Sequence, residues 1–138
     1  GVSTTERKQR IEQMAERFGM EDSLNRQMVS YSHGMRQKMM VIAALVHNPP
    51  VWILDEPMTG LDPNAAYELK KMMREHADAG NCVFFSTHVL EVAEKLCDKI
   101  IMIRKGKDIY QGTLDELETQ HRNKSLEEIF VEMTHEEF

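Results

Sequence analysis

Ile11, Met14, Ala15 and Phe18 recur at i, i+3, i+4 and i+7, which draws one apolar face of a helix. Ser3-Thr4-Thr5-Glu6 supplies a capping box at its start and Gly19 a stop at its end. A polar connector over 21–30 leads to Tyr31-Ser32-His33-Gly34, followed by an unusually apolar helix over Met39–Val46 that Asn48-Pro49-Pro50 ends. The pattern then changes. Val51-Trp52-Ile53-Leu54 and Cys82-Val83-Phe84-Phe85 are short continuous apolar runs, which predicts strands buried on both faces. Between them Asp62-Pro63 gives an N-cap with proline at the first helical position. Ala65, Leu69, Met72, Met73 and His76 mark one face of that helix, and Gly80 closes it. A further helix over about 89–97 follows the second run. Strand, helix, strand, helix at this spacing predicts a parallel sheet in an α/β core. Ile100–Ile103 and Asp108–Gln111 flank Lys105-Gly106-Lys107 as a hairpin. Capping boxes at Thr113–Glu116 and Ser125–Glu128 each open a short helix. There is no internal repeat.

Composition narrows the class. The chain has 138 residues, enough for one domain or a piece of one, and is 41% hydrophobic and 29% charged. The longest apolar run, Met39–Val46, is eight residues, far short of the ~20 of a membrane-spanning helix. The first ten residues hold no apolar signal-peptide core, and a start at Gly1 rather than Met reads as a piece of a longer chain. Seventeen basic residues stand against 23 acidic ones, a net charge of -6. Nucleic acid is therefore not an expected partner, because a broad grip on phosphate backbone calls for the opposite sign. Cys82 and Cys97 fit no metal-ligand spacing and read as core filling in a reducing compartment, with a disulfide as the lesser alternative. The eleven methionines mostly occupy helix faces, as adaptable packing groups do.

Three places carry candidate chemistry. Asp55 and Glu56 follow the first strand, and Pro57 stops the strand from continuing, so both carboxylates lie at the rim of an open sheet where ligands bind. Adjacent side chains on extended backbone point to opposite sides, which would let one acid face a metal and the other a water. A strand-end turn with two solvated acids is the alternative. Phe84-Phe85-Ser86-Thr87-His88 is a second strand ending in polar residues, and in a parallel sheet its carboxyl end falls on the same edge. His88 there reads either as a ligand contact or as a hydrogen-bonded strand-end histidine. Ser32-His33-Gly34 opens a helix whose free N–H groups suit a phosphate, with Gly34 permitting close approach; Ser32 also reads simply as an N-cap.

Taken together, in order and over nearly the whole chain, these segments resemble the carboxyl-terminal part of the nucleotide-binding domain of ABC transporters. Tyr31–Lys38 is similar to the signature motif, Val51–Pro57 to the Walker B strand, Thr59-Gly60-Leu61-Asp62 to the D-loop, and Thr87-His88 to the switch-histidine loop. The resemblance implies an α/β partial P-loop NTPase fold. Residues 1–48 would form the helical, signature-bearing subdomain and 49–138 the carboxyl-terminal half of the parallel-sheet core. It implies ATP and Mg²⁺, with Asp55 holding the metal, Glu56 as general base and His88 at the γ-phosphate. Ser32 and Gly34 would contact the γ-phosphate of an ATP held mainly by a second nucleotide-binding domain, and Asp62 would lie at that dimer interface. It also implies a transmembrane permease partner and a cytoplasmic position on the inner face of the membrane.

Two departures shape the expectation. The signature reads Tyr31-Ser32-His33-Gly34-Met35 where Leu-Ser-Gly-Gly-Gln is common, a variant similar to those of ABC-2 and drug-exporter ATPase subunits. The tail Ser125–Phe130 also resembles the ends of those exporter subunits. The phosphate loop G-x-x-x-x-G-K-[ST] occurs nowhere in the 138 residues, so nothing here cradles the α- and β-phosphates. The Q-loop glutamine and the adenine-stacking aromatic of the family are missing as well. This piece by itself is therefore expected to bind ATP weakly or not at all, and to self-associate through an unpaired sheet edge and exposed apolar surface. A non-transport ABC ATPase of translation or DNA-repair type and a catalytically silent interaction module are the competing readings. The long coiled coils and tandem ATPase domains of the former are not visible, and Glu56 with His88 argues against the latter.

Overall fold

The computed structural model of the chain describes residues 2–122 and 124–135. The chain separates into two compact units, residues 1–86 and 87–138. The segment up to residue 48 and the first strand thus share one unit.

In the first unit, helix α1 (Thr4–Arg17) begins at the expected capping box: the Ser3 side chain accepts from the Glu6 N–H, and Glu6 reaches back to the Ser3 N–H. The connector forms two 3₁₀ turns, Glu21–Ser23 and Met28–Ser30. Buried Tyr31 fastens it by donating its hydroxyl to the Ser23 carbonyl at 2.6 Å. Helix α2 (His33–Leu45) buries Val41, Ile42 and Leu45. Strand β1 (Val51–Leu54) leads through a loop to α3 (Pro63–Asp78), whose buried face is Ala65, Leu69, Met72, Met73 and His76, as the spacing predicts. Arg17 joins α1 to α3: its Nε lies 3.0 Å from Glu68, and two guanidinium nitrogens grip the Glu75 carboxylate at 2.8 and 3.3 Å. That grip holds Glu75 below its usual carboxylate range.

Strand β2 (Cys82–Phe85) pairs parallel with β1, residue for residue from Val51↔Cys82 to Leu54↔Phe85. The parallel pairing follows the sequence pattern; burial on both faces does not. Trp52 is buried and stacks on His76 of α3, ring centroids 4.0 Å apart. On the other face Val51, Ile53 and Phe84 are exposed, Ile53 by 78%. The reason is coverage: within this unit α3 packs on one side of a two-stranded sheet and leaves the other side open. Cys82 falls on that open face, so it does not fill the core, whereas Cys97 packs against the core of the second unit; the two form no disulfide.

The second unit opens with α4 (Leu90–Leu96), then the antiparallel hairpin β3 (Lys99–Arg104) and β4 (Lys107–Thr113). Lys105 and Gly106 both have positive φ, the backbone that a two-residue hairpin turn of matching twist requires. Helices α5 (Leu114–Gln120) and α6 (Leu126–His135) start at the two predicted capping boxes. Ile100, Met102, Leu114, Leu117, Leu126 and Ile129 form this unit's core. Among the described residues no helix is long and apolar enough to cross a membrane.

Leu69 is fully buried on the inner face of α3, whereas Tyr67, two residues earlier, is 62% exposed. Leu69→Ala is expected to lower the unfolding free energy by ~2–5 kcal/mol. Tyr67→Ala should change it by less than ~0.5 kcal/mol. Urea unfolding followed by the fluorescence of Trp52, the single tryptophan, reads both.

Candidate functional site

The site grows from the end of the β1–β2 pair. Ser86 donates its backbone N–H to the Leu54 carbonyl at 3.0 Å, the last rung of the parallel ladder, so Ser86 arrives beside Asp55. Its hydroxyl donates to Asp55 Oδ1 and accepts the Glu56 N–H at 2.9 Å. One hydroxyl therefore joins the carboxylate of one acid to the backbone of the next. Glu56 lies in left-handed backbone with φ of 43° and is followed by Pro57. A non-glycine residue there carries strain of order 1–3 kcal/mol that surrounding contacts must hold in place. The strand has ended by then, so the directions of the two acids are set by this turn and not by strand alternation. The turn closes with the Thr59 N–H on the Glu56 carbonyl at 3.0 Å, and Pro57 is buried beneath it.

The start of α2 packs against the far end of the same loop. Ser32 is the N-cap, its Oγ accepting the Met35 N–H at 3.2 Å. Capping uses a lone pair and leaves the hydroxyl proton able to donate. Gly34 lies in the first helical turn, where a Cβ would sit 3.5 Å from the Gly60 carbonyl oxygen. Gly60 has φ of 80°, and a Cβ on it would come within 3.1 Å of His33 Nε2. Glycine at 60 thus serves both the backbone angle and the close approach of the His33 ring.

Asp62 caps α3, Oδ1 accepting the Ala65 N–H at 3.0 Å, while Oδ2 lies 2.6 Å from Lys38 Nζ. Lys38 also donates to the Phe18 carbonyl at 3.0 Å, so one half-buried ammonium ties α1, α2 and α3 together. The Lys38 contact first, and then the capping N–H, hold Asp62 below its usual value.

The first unit thus holds Asp55 and Glu56 tied to Ser86 at the end of β1 and, at the far end of the loop, Ser32 and Gly34 of α2 beside Gly60, with Asp62 held by Lys38. His88, exposed, opens the second unit ahead of α4, next to a turn in which the Val89 N–H donates to Thr87 Oγ1 at 3.1 Å. Sequence reasoning missed Ser86 and Lys38 as parts of this constellation. The signal for Ser86 was present: Val51–Leu54 then Asp55 matches Cys82–Phe85 then Ser86, and in-register pairing sets those two polar residues side by side.

Among the described residues no three His, Cys, Asp or Glu side chains cluster as metal ligands. Mg²⁺ needs no such cluster, since it is commonly held by one or two carboxylates together with waters and substrate phosphates. The exposed Asp55 carboxylate, one oxygen anchored by Ser86, fits that demand.

Comparison with known proteins decides the family. The family model described as ABC transporter matches residues 2–59. The ABC transporter ATP-binding protein NatA of Bacillus subtilis is 38% identical over 131 residues, which is 95% of this chain and 53% of that protein. The chain belongs to the ABC transporter ATP-binding family. The daunorubicin/doxorubicin resistance ATP-binding protein DrrA of Streptomyces peucetius is 35% identical over 86% of this chain and 36% of its own length. A solved structure of the ATP binding subunit of an ABC transporter superposes with a TM-score of 0.88 at 36% identity, over 97% of this chain and 57% of that one. The fold is accordingly α/β and corresponds to part of the ABC ATPase fold. The chain spans about half the length of NatA and of that solved subunit.

Asp62→Asn keeps a capping side chain but removes the charge that Lys38 meets. Because folding lowers the Asp62 pKa, the ion pair's contribution is complete above the unfolded value and fades as pH falls through the folded one. The substitution should therefore cost ~0.2–1 kcal/mol at pH 7 and progressively less below about pH 4. Thermal unfolding of both chains from pH 7 to 3 tests the convergence.

Proposed function

We propose that these residues belong to the ATP-hydrolysing subunit of an ABC exporter, with the chemistry at the carboxyl end of β1. The observation that carries the reading is the pair Asp55 and Glu56 at that strand end, within a chain of this family. Asp55 would hold Mg²⁺ by its carboxylate; bound there, the metal supplies charge neutralisation of the phosphates. Glu56 would orient and deprotonate the attacking water, and the strained, hydrogen-bonded turn favours a fixed position for it. His88 would donate toward the γ-phosphate. Positioning and charge stabilisation account for most of phosphoryl-transfer catalysis, so a rigid turn is the right support.

Ser32 and Gly34 would serve a second active site. The α2 N-terminus offers unpaired N–H groups, the Ser32 hydroxyl proton and close access at Gly34, all suited to the γ-phosphate of an ATP seated on a second nucleotide-binding domain, identical or not. Asp62, its side chain 47% exposed, would lie at that interface and report on both sites. The 1–48 segment would act as the signature-bearing helical subdomain and the remainder as part of the ATPase core. A transmembrane permease would couple the cycle to transport and hold the subunit peripherally at the cytoplasmic face. The resemblance to the drug-resistance protein supports export as the direction.

In the longer protein carrying these residues, Glu56→Gln should retain ATP binding and lose most turnover, leaving a long-lived ATP-bound dimer detectable by size exclusion. His88→Ala should likewise reduce kcat far more than it raises KM. Unchanged turnover in Glu56→Gln would remove the general-base role. For the 138-residue chain by itself, calorimetry should show no micromolar ATP binding. Light scattering should show self-association through the face bearing Val51, Ile53 and Phe84; a clean monomer at high concentration counts against it.

A further inference from the structure

Ser86 touches both halves of the acidic turn through a single atom. It is placed by main-chain pairing, since its own N–H is committed to the Leu54 carbonyl at 3.0 Å. Its hydroxyl proton goes to Asp55 Oδ1, and its oxygen receives the Glu56 N–H at 2.9 Å. A hydroxyl is suited to this task because it donates and accepts at once. A methyl or a carboxylate at 86 would satisfy at most one of the two contacts.

We infer that Ser86 is a positioning residue for the hydrolytic site: it orients the Asp55 carboxylate and locks Glu56 in its left-handed backbone. The inference rests on the reading that Asp55 holds Mg²⁺ and Glu56 acts on water. With Oδ1 engaged by Ser86, rotation of the Asp55 carboxylate is restrained, and Oδ2 would be the oxygen left to meet the metal's hydration shell. The same hydroxyl holds the Glu56 amide, so backbone rotation at φ of 43° toward the ordinary negative region would break that bond. The two acids thereby keep a fixed relation although the turn is at the surface. Partners that orient a metal ligand typically matter 10–100-fold for metal affinity or rate.

Two measurements test this, and they fail separately. In the 138-residue chain, NMR hydrogen exchange of the Glu56 amide should show protection, lost at least ~10-fold in Ser86→Ala and kept in Ser86→Thr, which retains the hydroxyl. An unprotected Glu56 amide in the unsubstituted chain overturns the inference whether or not the variants fold. In the longer protein, Ser86→Ala should lower kcat ~10–100-fold and raise the Mg²⁺ concentration for half-maximal activity, with KM for ATP little changed and Ser86→Thr restoring both. Full activity and unchanged Mg²⁺ dependence in Ser86→Ala, beside an inactive Glu56→Gln, sink the inference and leave the site reading standing. A loss that Ser86→Thr does not restore also overturns it, since packing and not the hydroxyl would then be responsible. An active Glu56→Gln overturns the site reading itself, and the amide measurement still decides the hydrogen-bond bridge.

Discussion

The in-register parallel pairing of β1 with β2 is the constraint on which the first unit's chemistry depends. Each strand is four apolar residues followed by a polar one, and pairing without offset sets Asp55 beside Ser86. A slip of one residue would exchange the faces of the sheet, putting Trp52 outward and breaking its stack on His76. Register, burial of Trp52 and placement of the acidic turn are therefore a single structural fact. Main-chain ladder bonds set the distance, and the apolar contact with α3 selects the register.

A second constraint joins the α2 N-terminus to the same loop. Gly34 lies against the Gly60 carbonyl, and the His33 ring lies so close to Gly60 that a Cβ there would come within 3.1 Å of Nε2. Lys38 then holds the loop's exit at Asp62 while reaching the end of α1 at the Phe18 carbonyl. Two segments proposed to serve different ATP molecules are thus linked inside the first unit. Under that proposal, coupling between the sites would have a short physical route, through the His33–Gly60 contact and one ion pair. His33, a departure from the common signature, takes part in that contact and not in the cap, which Ser32 makes.

The open face of the sheet follows from how much of the domain is present. Val51, Ile53 and Phe84 have the composition of strands covered twice, yet α3 covers one side only. The chain aligns with 57% of the solved ATP-binding subunit, so apolar surface suited to a larger domain is left at the solvent boundary.

Local chemistry was legible in the sequence. Capping boxes at Ser3, Thr113 and Ser125, the Asp62-Pro63 helix start, the buried face of α3 and the hairpin turn at Lys105-Gly106 all depend on residues within a few positions of one another. The order of its motifs likewise carried the family. What pairing and packing decided is different in kind: the exposure of Cys82 and Ile53, the left-handed backbone of Glu56, the hydroxyl bridge from Ser86, and the Lys38 contact with Asp62. Each of these joins residues 24 or more positions apart, or depends on which face another element covers. Spacing along a chain encodes short-range hydrogen bonds and helical faces; only the folded arrangement determines which strand end meets which side chain and which surface stays open.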